Sequence, residues 1–314
     1  MTGLELSKGF YEEFGKPMLE KDFPDLLPYL AVGFVGSGSE HFGFDDAVSR
    51  DHDFEPGFCI FLPGEDVVSR RQAFLLERAY AKLPKEYAGV KRLPVSPVGG
   101  NRNGVMRTAE FYEKAVGSPD GALSLHQWLT LPDHALFEAV DGEVYFDGYG
   151  EFTRIRDKLS AMPRDVRLKR LAGNLLIMAQ AGQYNFARCL RHGEPEAAQL
   201  ACNEFVSAAV KAIFLLEGRT APYYKWAFRA LEQLKIGIYF IDPLRAVLFA
   251  DPRSEEGARE KADNIEETAA RMIALLESRG LTQASCGDLE KRAYSVNDGI
   301  ADGNVRNLHI LAAV

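Results

Sequence analysis

The sequence predicts an α/β (α+β) chain, with a small mixed β-sheet and flanking helices over residues 1–155 and an all-helical region over residues 156–314. Three observations lead there. Short apolar runs closed by glycine or proline alternate with amphipathic stretches in the first half. The second half carries long apolar stripes at helical spacing. At 314 residues the chain exceeds what one compact core usually holds, so two domains are expected.

The run Tyr29–Val35 is apolar and ends at Gly36, a buried strand entering a tight turn. A second strand is expected from His52 to Leu62, stopping at Pro63-Gly64. From Asp66 to Leu83, residues Leu76, Ala79, Tyr80 and Leu83 share one helical face. Pro94, Pro97, Gly99 and Gly100 mark a loop before a short strand at Val105–Thr108, after which Glu110–Val116 reads as helix. Asp141-Gly142, between Phe137–Val140 and Val144–Phe146, carries a hairpin signal. Beyond it, Val206, Val210, Ile213 and Leu216 stripe one long helix. Ile265, Ala269, Met272 and Leu276 stripe another, on which Glu267 and Arg271 are spaced to pair. Breaks are expected at Gly193-Glu194-Pro195, Gly218, Pro222, Asp242-Pro243 and Asp251-Pro252.

Hydrophobic residues make up 46% and charged residues 26%, an ordinary globular composition, with a net charge of -8. That balance disfavours a generic nucleic-acid binder and simple attraction to an anionic membrane. The four cysteines, Cys59, Cys189, Cys202 and Cys286, form no C-x-x-C pair and read as reduced, mostly buried thiols. Glu5, Glu12 and Glu13 are wrong for a signal peptide, and no apolar run approaches the length of a membrane span. The expected location is cytoplasmic.

The stretch that carries chemistry is Val35-Gly36-Ser37-Gly38-Ser39, followed by Ser49-Arg50-Asp51-His52-Asp53-Phe54. On an extended strand Asp51 and Asp53 share a face and His52 takes the other. Two carboxylates so placed repel unless a cation lies between them, and magnesium, with its preference for hard oxygen ligands, suits that place. Two such ions about 3.5–4 Å apart stabilise the attacking and leaving oxygens of an in-line phosphoryl displacement. Gly36 and Gly38 let the backbone approach a phosphate closely, and Ser37 or Ser39 adds a donor. Alone, a Gly-Ser run is usually a plain turn and an Asp-x-Asp pair a solvated surface; in this order and spacing they point together to phosphate chemistry. Asp45 and Asp46 read as loop caps and Asp147 as a turn residue. Arg164, Arg167, Lys169 and Arg170 read as a solvated basic face, as do Arg188, Arg191 and His192.

The combination resembles the polymerase-β-like nucleotidyltransferase superfamily, whose pattern is an apolar residue, Gly-Ser, then Asp-x-Asp on the next strand. The longer string GSGSEHFGFDDAVSRDHDF resembles a branch of it catalogued as a domain of unknown function. The resemblance continues through FDGYGEFTRIR (Phe146–Arg156), GQYNFARCLRHG (Gly182–Gly193) and APYYKW (Ala221–Trp226). It implies that Asp51 and Asp53 are catalytic metal ligands, and that Gly36 with Ser37, or Gly38 with Ser39, holds a nucleoside triphosphate. It further implies a phosphate-holding lysine in the helical region, matched by Lys225 beside Tyr223, Tyr224 and Trp226. The implied reaction is Mg2+-dependent transfer of AMP from ATP to a hydroxyl acceptor, a small molecule, in a cleft between the domains. A protein or tRNA acceptor, or a non-catalytic nucleotide-binding module, are the alternatives. The departure is the third carboxylate: Val105–Thr108 offers Arg107 and no acid, with Glu110 just beyond. The rival His-Asp pair of metal-dependent phosphohydrolases needs further ligands, for which His126 and His134 are the nearest histidines.

Overall fold

In the computed structural model, which describes residues 1–49, 54–92 and 102–314, the apolar run before Gly36 becomes strand β1 (Ala31–Phe34). Pro28 sits in a 3-10 turn over Leu27–Tyr29, so the strand begins later than its apolar run. Strand β2 spans Cys59–Leu62. Residues 54–58 lie outside any strand, because Pro56 has no amide to give a ladder. The expected strand positions Asp51, His52 and Asp53 lie outside the described residues, as do Pro94, Pro97, Gly99 and Gly100.

Strands β3 (Glu86–Tyr87) and β4 (Val90–Lys91) make a small hairpin, turned by Ala88 and Gly89 at φ 49° and 79°. Strands β5 (Gly104–Arg107) and β6 (Glu143–Asp147) complete the main sheet, whose order is β5-β2-β1-β6. β1 is antiparallel to β2 and β6, with Val32 opposite Ile60 and Gly33 opposite Cys59; β2 is parallel to β5, with Cys59 opposite Gly104. The sheet is therefore mixed. A Cβ on Gly33 would lie 2.6 Å from the Glu143 carbonyl, where the β1–β6 register shifts, so glycine is required there.

Alternation along the strands covers both faces. Val32, Ile60 and Leu62 pack with Phe10, Tyr11, Leu76 and Tyr80, from the N-terminal helices and helix Arg70–Lys82. Phe61 faces the other way, its ring 4.3 Å from Phe152 and 5.2 Å from Phe111 on two further helices. Helix Arg70–Lys82 starts at a capping box between Ser69 and Gln72, inside the stretch expected from its periodicity.

The hairpin expected at Asp141-Gly142 is corrected. Phe137–Val140 closes the helix Asp133–Val140, whose Phe137 ring packs 5.1 Å from Phe42. Gly142, at φ 85°, ends that helix region, and β6 pairs with β1 instead of with the segment before it.

The chain forms two compact units, Met1–Leu123 with Ala135–Ala161, and Ser124–His134 with Met162–Val314. The first carries the sheet and the second is helical. In the second, helix Arg164–Met178 packs on Pro195–Leu216 and on Leu289–Asp298. Val206, Val210, Ile213 and Leu216 are buried, as are Ile265, Ala269, Met272 and Leu276 on helix Glu255–Ser278. Two sequence expectations change here. Lys169 and Arg170 are buried: the Lys169 amine donates to Asn297 Oδ1 (2.8 Å) and the Leu308 carbonyl (2.6 Å), and Arg170 to the Trp128 carbonyl (3.1 Å) and Asp133. Helix Pro195–Leu216 is, by length and composition, apolar enough to cross a membrane, with 67% of its apolar window buried within the protein.

The break expected at Asp242-Pro243 does not occur either, since helix Ile238–Phe249 runs through it. Proline removes the amide that would bond the Tyr239 carbonyl four residues earlier. Arg271 donates to that carbonyl instead, while pairing with Glu267 as its spacing predicts.

Candidate functional site

The sheet topology sets one end apart. Because β1 runs antiparallel to β2, and β2 parallel to β5, the end of β1 lies beside the beginnings of β2 and β5. Among the described residues, the segments that meet at that end include the Gly-Ser turn after β1, residues 54–58 before β2, Arg102-Asn103 before β5, and Asp141-Gly142 before β6.

The turn is built by Gly36 at φ 133° and Gly38 at φ 131°, a region in which side chains are strained. Ser37 is exposed, and its hydroxyl makes no hydrogen bond among the described residues. Ser39 is buried and opens the short helix Ser39–Phe42, which Gly43 ends at φ 68°. The two serines, equivalent in the sequence, thus face different surroundings.

Beneath Gly38 lies Glu40, only 8% exposed. A Cβ on Gly38 would sit 2.4 Å from Oε1 and 2.6 Å from Oε2 of Glu40, so the carboxylate lies flat against the turn. Ser39 Oγ donates to Oε2 at 3.5 Å, and Arg102 donates to Oε1 at 3.1 Å. His41 Nδ1 is 3.3 Å from the same oxygen; its ring is buried and stacks 4.0 Å from Phe34, with neither nitrogen in hydrogen-bonding geometry. Burial alone would raise the Glu40 carboxyl, but His41, the residue's own amide and the Arg102 charge outweigh it and hold the group below its ordinary 4.5.

Beside this cluster, Asn103 Nδ2 donates to Glu55 Oε1 at 3.2 Å, bringing a further carboxylate to the same end of the sheet. Sequence reasoning missed Glu40, Glu55, Arg102 and Asn103. The signal available for Glu40 was its place inside the GSGSE string; the others are joined only by strand pairing.

The remaining candidates divide. Asp51 and Asp53 lie outside the described residues. Asp46 Oδ1 accepts from the Val48 and Ser49 amides at 3.0 and 3.1 Å, and Asp45 Oδ2 from the Gly3 amide at 3.0 Å, so both act on the loop and its neighbour as capping groups. Asp147 accepts from the Gly150 and Thr153 amides at 2.7 and 2.8 Å, holding the turn into helix Glu151–Ser160. Arg107 ends β5 at the far end of the sheet and donates to the Pro63 and Val68 carbonyls at 2.6 and 2.8 Å. Glu110 follows on helix Thr108–Val116 and is exposed.

In the helical unit Lys225 is exposed on a 3-10 turn, its amine 4.9 Å from the centre of the Trp226 ring, with Arg229 5.2 Å from the same ring. Tyr223 and Tyr224 are exposed, 4.4 Å apart, and His134 meets Tyr223 edge-on at 5.7 Å. Arg188, Arg191 and His192 are not buried, as a solvated face requires. Among the described residues no group of three or more His, Cys, Asp or Glu side chains is arranged to hold a metal. A metal site of the expected kind rests on Asp51 and Asp53, whose carboxylate oxygens have the right chemistry for magnesium.

Residues 128–227 match a family described as a domain of unknown function, DUF4037. That segment includes Lys225 and the strings from Phe146, Gly182 and Ala221; the Gly-Ser turn and Asp51-His52-Asp53 lie before it. No curated protein matches the chain. In three dimensions the chain is similar to a nucleotidyltransferase-like protein from Exiguobacterium sibiricum 255-15, with 10% identity, a TM-score of 0.37, and coverage of 91% of this chain and 90% of that one.

Proposed function

We propose that this chain is a Mg2+-dependent nucleotidyltransferase that moves AMP from ATP to the hydroxyl of a small molecule. The observation that supports it most is the turn itself. β1 delivers two positive-φ glycines and an exposed serine to the end of the sheet from which the chain enters β2, a few residues after Asp51-His52-Asp53. A backbone free of Cβ atoms presents its amides to phosphate oxygens at close range. Magnesium held by Asp51 and Asp53 would neutralise charge on the reacting phosphates. The chain's own part is positioning: the Gly36–Ser39 turn would orient the triphosphate. The acceptor hydroxyl attacks the α-phosphorus and gives up its proton to solvent water, the bond to the bridging oxygen breaks, and pyrophosphate leaves with that electron pair.

One observation favours the rival reading, a nucleotide-binding module without catalysis. Among the described residues β5 offers no carboxylate, and Arg107 is engaged with loop carbonyls away from the turn.

Thermal unfolding with each of four nucleoside triphosphates, with and without magnesium, tests the reading on wild type and on Asp51→Asn/Asp53→Asn. A magnesium-dependent rise in Tm that shrinks in the double variant is expected; at a ligand concentration of 100 Kd it corresponds to about 2.7 kcal/mol. No shift with any triphosphate sinks it. Pyrophosphate release across a panel of hydroxyl compounds then separates enzyme from binding module, and label from ATP appearing in a protein or RNA band would replace the small-molecule acceptor.

A further inference from the structure

We propose that Glu40 is an internal anion filling the Gly38–Ser39 half of the turn, so that Gly36-Ser37 receives the phosphate and Glu40, fixed by Arg102, is a positioning residue. This rests on the nucleotide-binding reading and resolves what the sequence leaves open, since either Gly-Ser pair has suitable spacing to Asp51.

Three contacts carry it. The carboxylate of Glu40 lies against Gly38, where both oxygens would collide with any Cβ. Ser39, buried, turns its hydroxyl toward that carboxylate, whereas the Ser37 hydroxyl is exposed and unengaged among the described residues. Arg102, its side chain 44% exposed, bonds the Glu40 carboxylate from the segment before β5 and so ties the turn to the neighbouring strand. A phosphate brought to Gly38-Ser39 would meet a buried negative charge at van der Waals distance, and like charges in a low-dielectric site repel strongly. At Gly36 an added methyl would have His41 Nε2 as its nearest neighbour, at 3.8 Å, so that half of the turn is open. Glu40 plays toward Gly38-Ser39 the part an anionic ligand plays toward a bare turn, holding its conformation before substrate arrives.

The test is calorimetric binding of MgATP and of inorganic tripolyphosphate to wild type, Ser37→Ala, Ser39→Ala, Glu40→Gln and Ser39→Ala/Glu40→Gln, each checked for folding by circular dichroism. Ser37→Ala should weaken both ligands about tenfold or more, the loss of a hydrogen bond to a charged group; Ser39→Ala should weaken them at most about threefold on the same scale. Glu40→Gln, neutral and of equal shape, should tighten tripolyphosphate and make the Ser39 hydroxyl matter, so that the double variant binds more weakly than Glu40→Gln alone. A structural role for Glu40 would lower Tm without this gain. Ser39→Ala weakening binding as much as Ser37→Ala, or Glu40→Gln leaving tripolyphosphate affinity unchanged, overturns the assignment while the nucleotide reading stands. Tripolyphosphate binding with the expected pattern and no nucleotide binding would remove the nucleotide reading and keep the assignment. Binding of neither ligand removes both.

Discussion

Gly38→Ala should destabilise the protein more than Gly36→Ala, although both glycines have almost the same φ, 131° and 133°. An alanine in that region strains the backbone by about 1–3 kcal/mol at either position. At Gly36 the cost ends there, because the added methyl has its nearest neighbour 3.8 Å away. At Gly38 the methyl would be 2.4 Å from Glu40 Oε1, and the carboxylate must leave Arg102 and His41 to make room. Uncoupling that buried group adds about 1–3 kcal/mol. The two effects are separable in a double-mutant cycle, since Glu40→Ala removes the obstacle and Gly38→Ala then costs only its backbone strain. The cycle should therefore show a coupling of about 1–3 kcal/mol, with the double variant more stable than the sum of the singles. Urea unfolding followed by far-UV circular dichroism measures it. Tryptophan emission follows the helical unit alone, because Trp128 and Trp226 both belong to it, and so serves as the control. Additive effects, or a Gly36→Ala cost equal to that of Gly38→Ala, would refute the placement of Glu40 against the turn.

Further outcomes follow from the same geometry. The Glu40 carboxyl is held below its ordinary value in the folded protein, so its stabilisation is present above the unfolded pKa and disappears as pH falls through the folded one. Glu40→Gln should accordingly flatten the acid limb of the stability–pH profile, and an unchanged limb would count against the pairing. Burial pushes the Cys59 thiol up to about 12 and the Cys202 thiol up to about 11. Iodoacetamide at pH 8 should label the partly exposed Cys189 and Cys286 first and reach Cys59 and Cys202 only in denaturant, as peptide mass spectrometry would show. Gly182→Ala would put a methyl 2.4 Å from the buried Phe205 ring and should cost about 1–3 kcal/mol by overpacking, part of it recovered by Phe205→Leu; equal Tm for wild type and Gly182→Ala would contradict that close approach. Asp147→Ala loses the acceptor for two amides and should cost about 0.5–2 kcal/mol in a urea melt, and Asp147→Asn, with one acceptor oxygen where the carboxylate uses two, should keep a part of that loss.

Local chemistry was legible along the chain. The apolar run before Gly36, the helical face through Leu76–Leu83, and the stripes through Val206–Leu216 and Ile265–Leu276 all form elements where their spacing predicts them, because periodicity acts over one or two turns. The order of a sheet-bearing part before a helical part follows from the same patterns. The Asp51-x-Asp53 motif and its distance from the Gly-Ser turn are likewise properties of the sequence.

Only the tertiary structure decided which local signals prevail. Asp141-Gly142 stops a helix because Phe137 finds Phe42 across the unit. Pro243 stays inside a helix because Arg271, on another helix, satisfies the carbonyl that proline leaves without a donor. Lys169 and Arg170 are buried because carbonyl and carboxylate acceptors from distant segments converge on them. At the turn, the contact that ties Glu40 to Arg102 depends on the strand pairing that brings the segment before β5 beside the end of β1. A side chain's partner across the sheet is set by register, and register is decided by the packing of whole faces, which no short stretch of sequence contains.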